Sequence, residues 1–394
     1  MSGLWVERLA LTNFRGYGQV SLATGPEPQV IAGANGAGKT NLLEALSLLA
    51  PGQGMRRAPF AEIPRASGDG GFAVAAHVHT LNGAADIGTG LNHGSVRGMR
   101  SQSDDGDGSS GRVGRIVRID GVAQSGSGVL ADYLEIVWVT PAMDGLFTGP
   151  ASERRRFLDR LILCFDPAYR TIAGRFERAM TSRNRLLSDG VRDNAQLSSF
   201  ERVMAETGIA VAAARLEAVS AMAAVVARRK VRDPNSAFPW SEFKLEGRIE
   251  DDIAAMPAIT AEDAYARVLR ETRERDRGAG RTLDGPHRSD LAVGHGPKAM
   301  PARLCSTGEQ KALLLGLVLA HAELLTERQD GAAPVLLLDE ITAHLDEHRR
   351  AALFAEILHL KAQAWMTGTD AAAFEALCDK ARFWRVDEAQ IAAL

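Results

Sequence analysis

The chain reads as an α/β protein: a phosphate-loop mixed sheet with helices, carrying an inserted arm of short antiparallel helices. Three observations predict this. A complete G-x-x-x-x-G-K-T string stands near the start, between an apolar strand and an apolar helix. A short aliphatic run ending in two acids stands near the other end. Between them the apolar residues fall first at strand spacing and then at helix spacing.

The first string is Gly33, Ala34, Asn35, Gly36, Ala37, Gly38, Lys39 and Thr40. Val30-Ile31-Ala32 ahead of it reads as a buried strand, and residues 41–46 open a helix, the context that such a loop needs. Its glycines let backbone N–H groups converge on phosphates, and the helix N-terminus adds partial positive charge. The string therefore predicts a bound nucleoside triphosphate. Lys39 reaches its β- and γ-phosphates, and the Thr40 hydroxyl holds Mg²⁺.

The second string is Pro334-Val335-Leu336-Leu337-Leu338-Asp339-Glu340. A continuous aliphatic run is the mark of a parallel strand buried on both faces. An acid at the carboxyl end of such a strand lies where α/β sheets bind ligands. Asp339 is placed to bind Mg²⁺, directly or through water. Glu340 is placed to polarise the water that attacks the γ-phosphate.

Upstream, Cys305-Ser306-Thr307-Gly308-Glu309-Gln310-Lys311 precedes a long apolar helix. Ser306 with Glu309 three residues on is a capping box. The same residues resemble the signature of ABC-type ATPases, L-S-x-G-(G/E/Q)-Q, with Cys305 in place of Leu. Its position one long helix ahead of the acidic strand favours the signature. In that family Ser306, Gly308, Glu309 and Gln310 would meet the γ-phosphate of ATP held by another subunit. Both readings rest on a helix N-terminus as an anion site. Asp346, in Ala343-His344-Leu345-Asp346, matches the D-loop, and His344 reads as a polar surface or interface residue rather than a base. After the strand Ala364-Trp365-Met366, most ABC-type ATPases carry a sensing His, where this chain has Thr367.

Composition sets the outer bounds. With 394 residues the chain exceeds one ordinary core, so a head with a second domain is expected. Its 45% hydrophobic and 24% charged residues fit a globular protein. The net charge of −3 provides no global basic field, so any DNA contact must come from local patches. Cys164, Cys305 and Cys378 form no metal or disulfide pattern. The first residues lack a secretory pattern, and the longest apolar run, 312–320, is about half of a bilayer span. A cytoplasmic protein with no membrane partner is expected.

Three segments follow. Residues 1–145 form the N-terminal part of the head, with the phosphate loop and an antiparallel strand lobe punctuated by turns in 72–122. Residues 101–111, rich in Ser, Gly and Asp, read as a mobile hairpin tip. Residues 146–284 form the helical arm, interrupted by Pro234, Pro239 and Pro257. Two antiparallel helices of about 40 residues would reach on the order of 60 Å. Residues 285–394 complete the head.

Three further strings narrow the family. Leu9-Ala10-Leu11-Thr12-Asn13-Phe14-Arg15-Gly16-Tyr17 is similar to the L-x-L-x-N-F-R-N-Y opening of the RecF family, recombination-mediator ATPases related to SMC proteins. Residues 149–159, containing Arg154-Arg155-Arg156-Phe157-Leu158-Asp159, resemble its G-x-P-x-x-R-R-x-F-L-D segment. Gly285-Pro286-His287-Arg288-Ser289-Asp290-Leu291 resembles its G-P-H-R-D-D-L element, with Ser289 in place of an acid. The resemblance implies an ATP-dependent homodimer in which each ATP lies between Lys39 and Thr40 of one subunit and Ser306 and Gly308 of the other. It also implies weak DNA-stimulated ATP hydrolysis, clamp-like binding to gapped or single-/double-strand junction DNA, and RecO and RecR as partners in loading RecA.

The residues themselves offer local basic clusters: Arg154 to Arg156, Arg228-Arg229-Lys230, and Arg273, Arg275, Arg277 and Arg281. Arg228, Arg229 and Lys230 are the candidate DNA contacts. Each cluster fits phosphate binding or a solvated, ion-paired helix face equally well. Two alternatives compete with the clamp. A transporter ATPase subunit needs a short spacing from Lys39 to the signature and a Gln-loop, where this chain has Val139-Thr140-Pro141-Ala142-Met143-Asp144. An SMC-like nuclease-associated ATPase needs an acidic Toprim-type domain after the head, and none is expected here.

Overall fold

The structure is a computed structural model that describes residues 3–92, 114–190 and 193–394. The expected hairpin tip at 101–111 lies outside the described residues. The chain divides into two compact units, Met1–Met143 with Val318–Leu394, and Asp144–Leu317.

The first unit holds two sheets. One is mixed, in the order Gln390–Ala393, Arg382–Asp387, Gln29–Ala32, Ala364–Gly368, Val335–Leu338 and Ile136–Val139. All neighbours are parallel except the edge pair Arg382–Asp387 with Gln390–Ala393. Val335–Leu338 and Gln29–Ala32 are buried at every residue, as unbroken aliphatic strands in a parallel sheet must be. The other sheet is antiparallel, in the order Tyr17–Ala23, Trp5–Phe14, Phe72–Thr80, Gly83–Leu91, Ile116–Ile119 and Val122–Ala123. Phe72, Val74, Ala76 and Val78 point inward while the residues between them face out, the alternation of a half-buried strand.

One core joins Leu9, Leu11 and Val74 of the antiparallel sheet to Ile31, Leu337 and Trp365 of the mixed sheet and to Leu42 and Leu46 of the helix Lys39–Ser47. A buried amide also links the two sheets. Gln363 Oε1 accepts the Val6 N–H at 2.9 Å, and its Nε2 donates to the Val6 and Gly25 carbonyls. The Trp365 indole donates to the same Gln363 Oε1 at 3.1 Å.

The second unit is mostly helical. Its helices are Ala151–Phe165, Tyr169–Ser188, Asn194–Arg232, Arg248–Ala255, Ala258–Glu271 and Arg273–Ala279, followed by the start of Thr307–Arg328. The strands Met300–Pro301, Asp290–His295 and Ser241–Glu246 form a small antiparallel sheet. The arm differs from two helices of about 40 residues. One member has 39 residues, but the helix packed along it has 20, because the chain breaks at Asp166 and begins a new helix at Tyr169. Asp193 caps the long helix through the Ala195 and Gln196 N–H groups.

Arg183 anchors this unit. Fully buried, its guanidinium bonds Glu201, Asp276, Thr282 and the Leu269 carbonyl, so the charge has paired partners on every side. The long helix Asn194–Arg232 has the length and composition of a membrane span. It also supplies Met204, Ala205, Ile209 and Ala212 to the core of the unit. The unit boundary at Leu317 falls later than the expected start of a C-terminal head segment at 285. Residues 290–295 pair with Ser241–Glu246, and Arg154 grips Asp290, so this stretch packs with the helices.

Candidate nucleotide site

The parallel register builds the site. Ile31 lies opposite Thr367, and Leu338 lies opposite Met366. The phosphate-loop strand and the acidic strand therefore flank Ala364–Gly368 and leave the sheet at the same edge. Asp339 comes to Thr40 from 299 residues away in the chain, and the Thr40 hydroxyl bonds its Oδ1 at 3.0 Å.

The loop itself requires its glycines. Gly36 and Gly38 have φ of 83° and 115°, the left-handed region that side chains rarely adopt. Gly33 is needed for a different reason: a Cβ there would stand 2.2 Å from the Val386 carbonyl oxygen. The hairpin after Val386 also closes on the loop, with the Ala389 N–H bonding the Ala37 carbonyl. Lys39 is 5% exposed and folds back onto the loop, donating to the Gly33 and Ala34 carbonyls at 2.7 and 2.8 Å. Burial pushes its ammonium below the ordinary lysine value, against the pull of Glu340 and Asp339.

Thr367 is fully buried behind the acids. Its hydroxyl donates to Asp339 Oδ1 at 2.7 Å and accepts the Glu340 N–H at 2.8 Å. It therefore orients the acid pair from inside the sheet. Glu340 itself has φ 49°, a left-handed turn that points the chain away from the strand direction at this residue.

Sequence reasoning passed over the supports of the loop. The N-terminal string Asn13-Phe14-Arg15-Gly16-Tyr17 serves them. Arg15 makes a two-pronged bond to the buried Glu44 of the loop helix, at 2.6 and 3.0 Å. Tyr17 donates its hydroxyl to the Gly38 carbonyl at 3.0 Å. Phe14 fills the core beneath them. The signal in the sequence was the string itself, whose Arg15 lies in the turn between two strands and whose Tyr17 opens the second.

The turn expected to be the signature lies in the second unit. Ser306 and Thr307 are exposed at the N-terminus of Thr307–Arg328. The capping box forms in both directions: the Ser306 N–H and hydroxyl reach Glu309 Oε2 at 3.0 and 3.1 Å, and the Glu309 N–H reaches Ser306 Oγ at 3.4 Å. Lys298 pairs with Glu309 at 2.5 Å. That ammonium, helped by the bonds from Ser306, pulls the Glu309 carboxyl down to about 2. Gln310 is buried and donates to the Cys305 carbonyl at 2.9 Å. Glu309 and Gln310 thus shape the turn, and Ser306 and the half-buried Gly308 form its outer surface. Asp346 is exposed and caps the helix Glu347–Leu360 by accepting the Arg349 N–H.

The basic clusters separate by their partners. Arg154 grips Asp290 at 2.7 and 2.8 Å and also donates to the Leu146 and Gly149 carbonyls. Arg273 grips Glu201, Arg275 pairs with Asp284, and Arg277 pairs with Glu274. Arg154 ties its helix to the strand Asp290–His295, and Arg273, with the Arg277 bond to the Leu187 carbonyl, ties one helix to another. Arg228 and Lys230 are exposed at the end of the long helix, with the Lys230 ammonium 4.1 Å from the Trp240 ring centre. Ser289 is buried, bonded to the Pro286 carbonyl and to Arg215, whose guanidinium is held by Asp159. His287 lies against Phe176 within the same unit.

Known proteins resemble this chain in sequence and fold. The RecF/RecN/SMC N-terminal domain model matches residues 5–384. The DNA replication and repair protein RecF of Mesorhizobium japonicum is 50% identical over 386 residues, covering 98% of this chain and 97% of that protein. The chain belongs to the RecF family. The RecF protein of Brucella suis is 51% identical over 387 residues, covering 98% of this chain and 95% of that protein. Among solved structures, the recombination mediator protein RecF-ATPrS of the RecFOR pathway superposes with a TM-score of 0.83 at 20% identity, over 100% of this chain and 99% of that one. The Smc head domain of Pyrococcus furiosus follows at a TM-score of 0.53 and 15% identity, over 99% and 96%. These likenesses identify the fold as the ATPase fold of RecF and SMC heads.

Proposed function

We propose that this chain is an ATP-dependent DNA-binding protein of recombinational repair and replication restart, acting in the cytoplasm. The carrying observation is the convergence of Thr40, Asp339 and Thr367 beside the Gly33–Lys39 cradle, in a chain half identical to RecF proteins over nearly its full length. ATP is the substrate. The loop amides and Lys39 bind its phosphates, while Gly33 lets the Val386 hairpin close on the loop. Lys39 exchanges its carbonyl partners for phosphate oxygens at little cost in desolvation, since it is already buried.

The Thr40 hydroxyl and the Asp339 carboxylate, 3.0 Å apart, are a hard oxygen donor pair that fits Mg²⁺. The ion would neutralise charge on the phosphates when bound. Glu340 positions and deprotonates the attacking water, held in place by its backbone bond to Thr367.

The exposed Ser306 turn completes the site on a second copy, so ATP joins two chains into a homodimer clamp. Hydrolysis is slow, stimulated by DNA, and reopens the clamp. Gapped or junction DNA is held through its backbone without base specificity, with Arg228, Arg229 and Lys230 as phosphate contacts. RecO and RecR join it in loading RecA.

The test is Glu340→Gln with ATP and Mg²⁺ on a size-exclusion column. This variant should bind ATP and run as a dimer that persists. A monomer at micromolar concentration with ATP bound overturns the reading.

A further inference from the structure

The outer face of the antiparallel sheet carries a second cluster, away from the phosphate loop in sequence and unused by the nucleotide chemistry. His77 and His79 stand two residues apart on Phe72–Thr80 and so share one face. Their neighbour in the sheet is Trp5–Phe14, where Trp5 lies opposite His79 and Arg8 opposite His77. The register shifts between Val6 and Arg8. This bulge inserts Glu7, and an inserted residue re-aims the side chain. Val6 and Leu9 stay fully buried, and Glu7 turns outward toward the two imidazoles.

Three ligand atoms meet there. Glu7 Oε2 is 2.6 Å from His79 Nε2 and 3.9 Å from His77 Nε2, and all three atoms lie within 4.8 Å of one another. Among the described residues this is the one group of three or more His, Cys, Asp or Glu side chains that converges so closely. The surroundings fix the rings. Asp86, paired with His77 across the next strand, bonds its Nδ1 at 2.8 Å. That bond places the proton on Nδ1 and turns the Nε2 lone pair toward Glu7, the carboxylate–histidine arrangement that supports metal-bound imidazoles. The Trp5 ring stacks flat on His79, 4.2 Å between centres and 3° between planes.

We infer that Glu7, His77 and His79 form a binding site for a divalent transition-metal cation of the zinc class, with Asp86 as the partner that orients His77. Two imidazoles and a carboxylate suit such an ion and do not suit Mg²⁺ or Ca²⁺, which take oxygen ligands. Around a tetrahedral ion with bonds near 2.1 Å, ligand atoms stand about 3.4 Å apart. The Glu7–His79 hydrogen bond opens and the His77–Glu7 gap closes to reach that spacing. Both are small rotations of side chains that are not packed in the core. The fourth position is left to water or to a donor from another molecule.

The site ties Trp5–Phe14 to Phe72–Thr80, and both strands contribute to the core beneath the phosphate loop. Metal binding therefore stabilises the folded unit by mass action.

The experiment is a Zn²⁺ titration of the full chain against a competing chelating dye, repeated with Co²⁺ while recording its visible absorption. One ion per chain, with a dissociation constant at or below about 1 μM, is expected for a three-ligand site. His77→Ala with His79→Ala should weaken it more than about 100-fold, and Asp86→Asn about 10-fold or more through its loss of orientation. Glu7→Gln should also weaken it and shift the Co²⁺ absorption. Circular dichroism of each variant without metal reports that the sheet is intact. No Zn²⁺ bound at about 100 μM, or unchanged stoichiometry and affinity in the folded double-histidine variant, overturns the inference. The second result would place the ion elsewhere.

Discussion

The Thr367 hydroxyl bonds Asp339 at 2.7 Å and receives the Glu340 N–H at 2.8 Å, so one side chain orients both acids of the nucleotide site. Thr367→Val keeps the shape and removes both bonds. Leaving buried polar groups without their partner should cost about 1–3 kcal/mol in urea unfolding. ATP binding should survive while hydrolysis falls, because Glu340 loses its backbone anchor. A variant with wild-type stability and turnover would remove Thr367 from this role.

Gly33 lies so close to the Val386 carbonyl that a methyl group cannot fit. Gly33→Ala should lower stability by about 1–3 kcal/mol through overpacking against the backbone. ATP affinity, measured by fluorescent nucleotide titration, should fall as the loop and hairpin separate. The contrast is Ala34→Gly in the same loop, which should leave stability within about 1 kcal/mol.

Ser306 is exposed at the start of its helix, where its hydroxyl takes part in the capping box with Glu309. Ser306→Arg should preserve ATP binding in the loop yet prevent ATP-dependent dimerisation, read by light scattering. A stable dimer in this variant would contradict the shared-site arrangement.

Glu135 gives the protein a pH dependence with a defined sign. Burial raises its carboxyl from 4.5 to about 8, against a bond from Gln329. The folded state then holds a proton that the unfolded chain has released, so stability is full below pH 4.5 and declines as the pH rises to about 8. Glu135→Gln should flatten that decline, being more stable than the wild type at about pH 9 and not at about pH 4. Parallel melting curves for both proteins between those limits provide the check.

Arg228 and Arg229 lie near the end of the long helix, before Lys230, whose ammonium lies over the Trp240 ring. Both arginines also have interactions within the chain. Charge reversal of the pair should weaken DNA binding and reduce the salt slope by about 0.9 for each phosphate that is no longer neutralised. Equal affinity and slope across a salt series would take this patch out of the interface.

Much of this site was legible in the chain. Residues 33–40 could be read because a phosphate cradle needs glycines at fixed positions, and 335–340 because a strand buried on both faces tolerates only aliphatic residues. The Ser306–Glu309 capping box was readable for the same local reason. The unequal arm helices were harder to see, since Asp166 and Pro167 interrupt a helical pattern whose apolar residues continue on both sides. The strand Ser241–Glu246 alternates too weakly to stand out, and only its pairing with Asp290–His295 defines it.

The amino-acid string by itself determined the glycine loop, the acid pair at its strand end, the capping box at Ser306 and the kinship with RecF proteins, because each depends on residues adjacent in the chain. Tertiary structure decided what those pieces meet. Parallel pairing set Thr367 behind Asp339, folding over the core brought Arg15 and Tyr17 to the loop, and a one-residue bulge turned Glu7 toward two histidines. Contacts between residues far apart in sequence depend on register and packing, which no local pattern encodes.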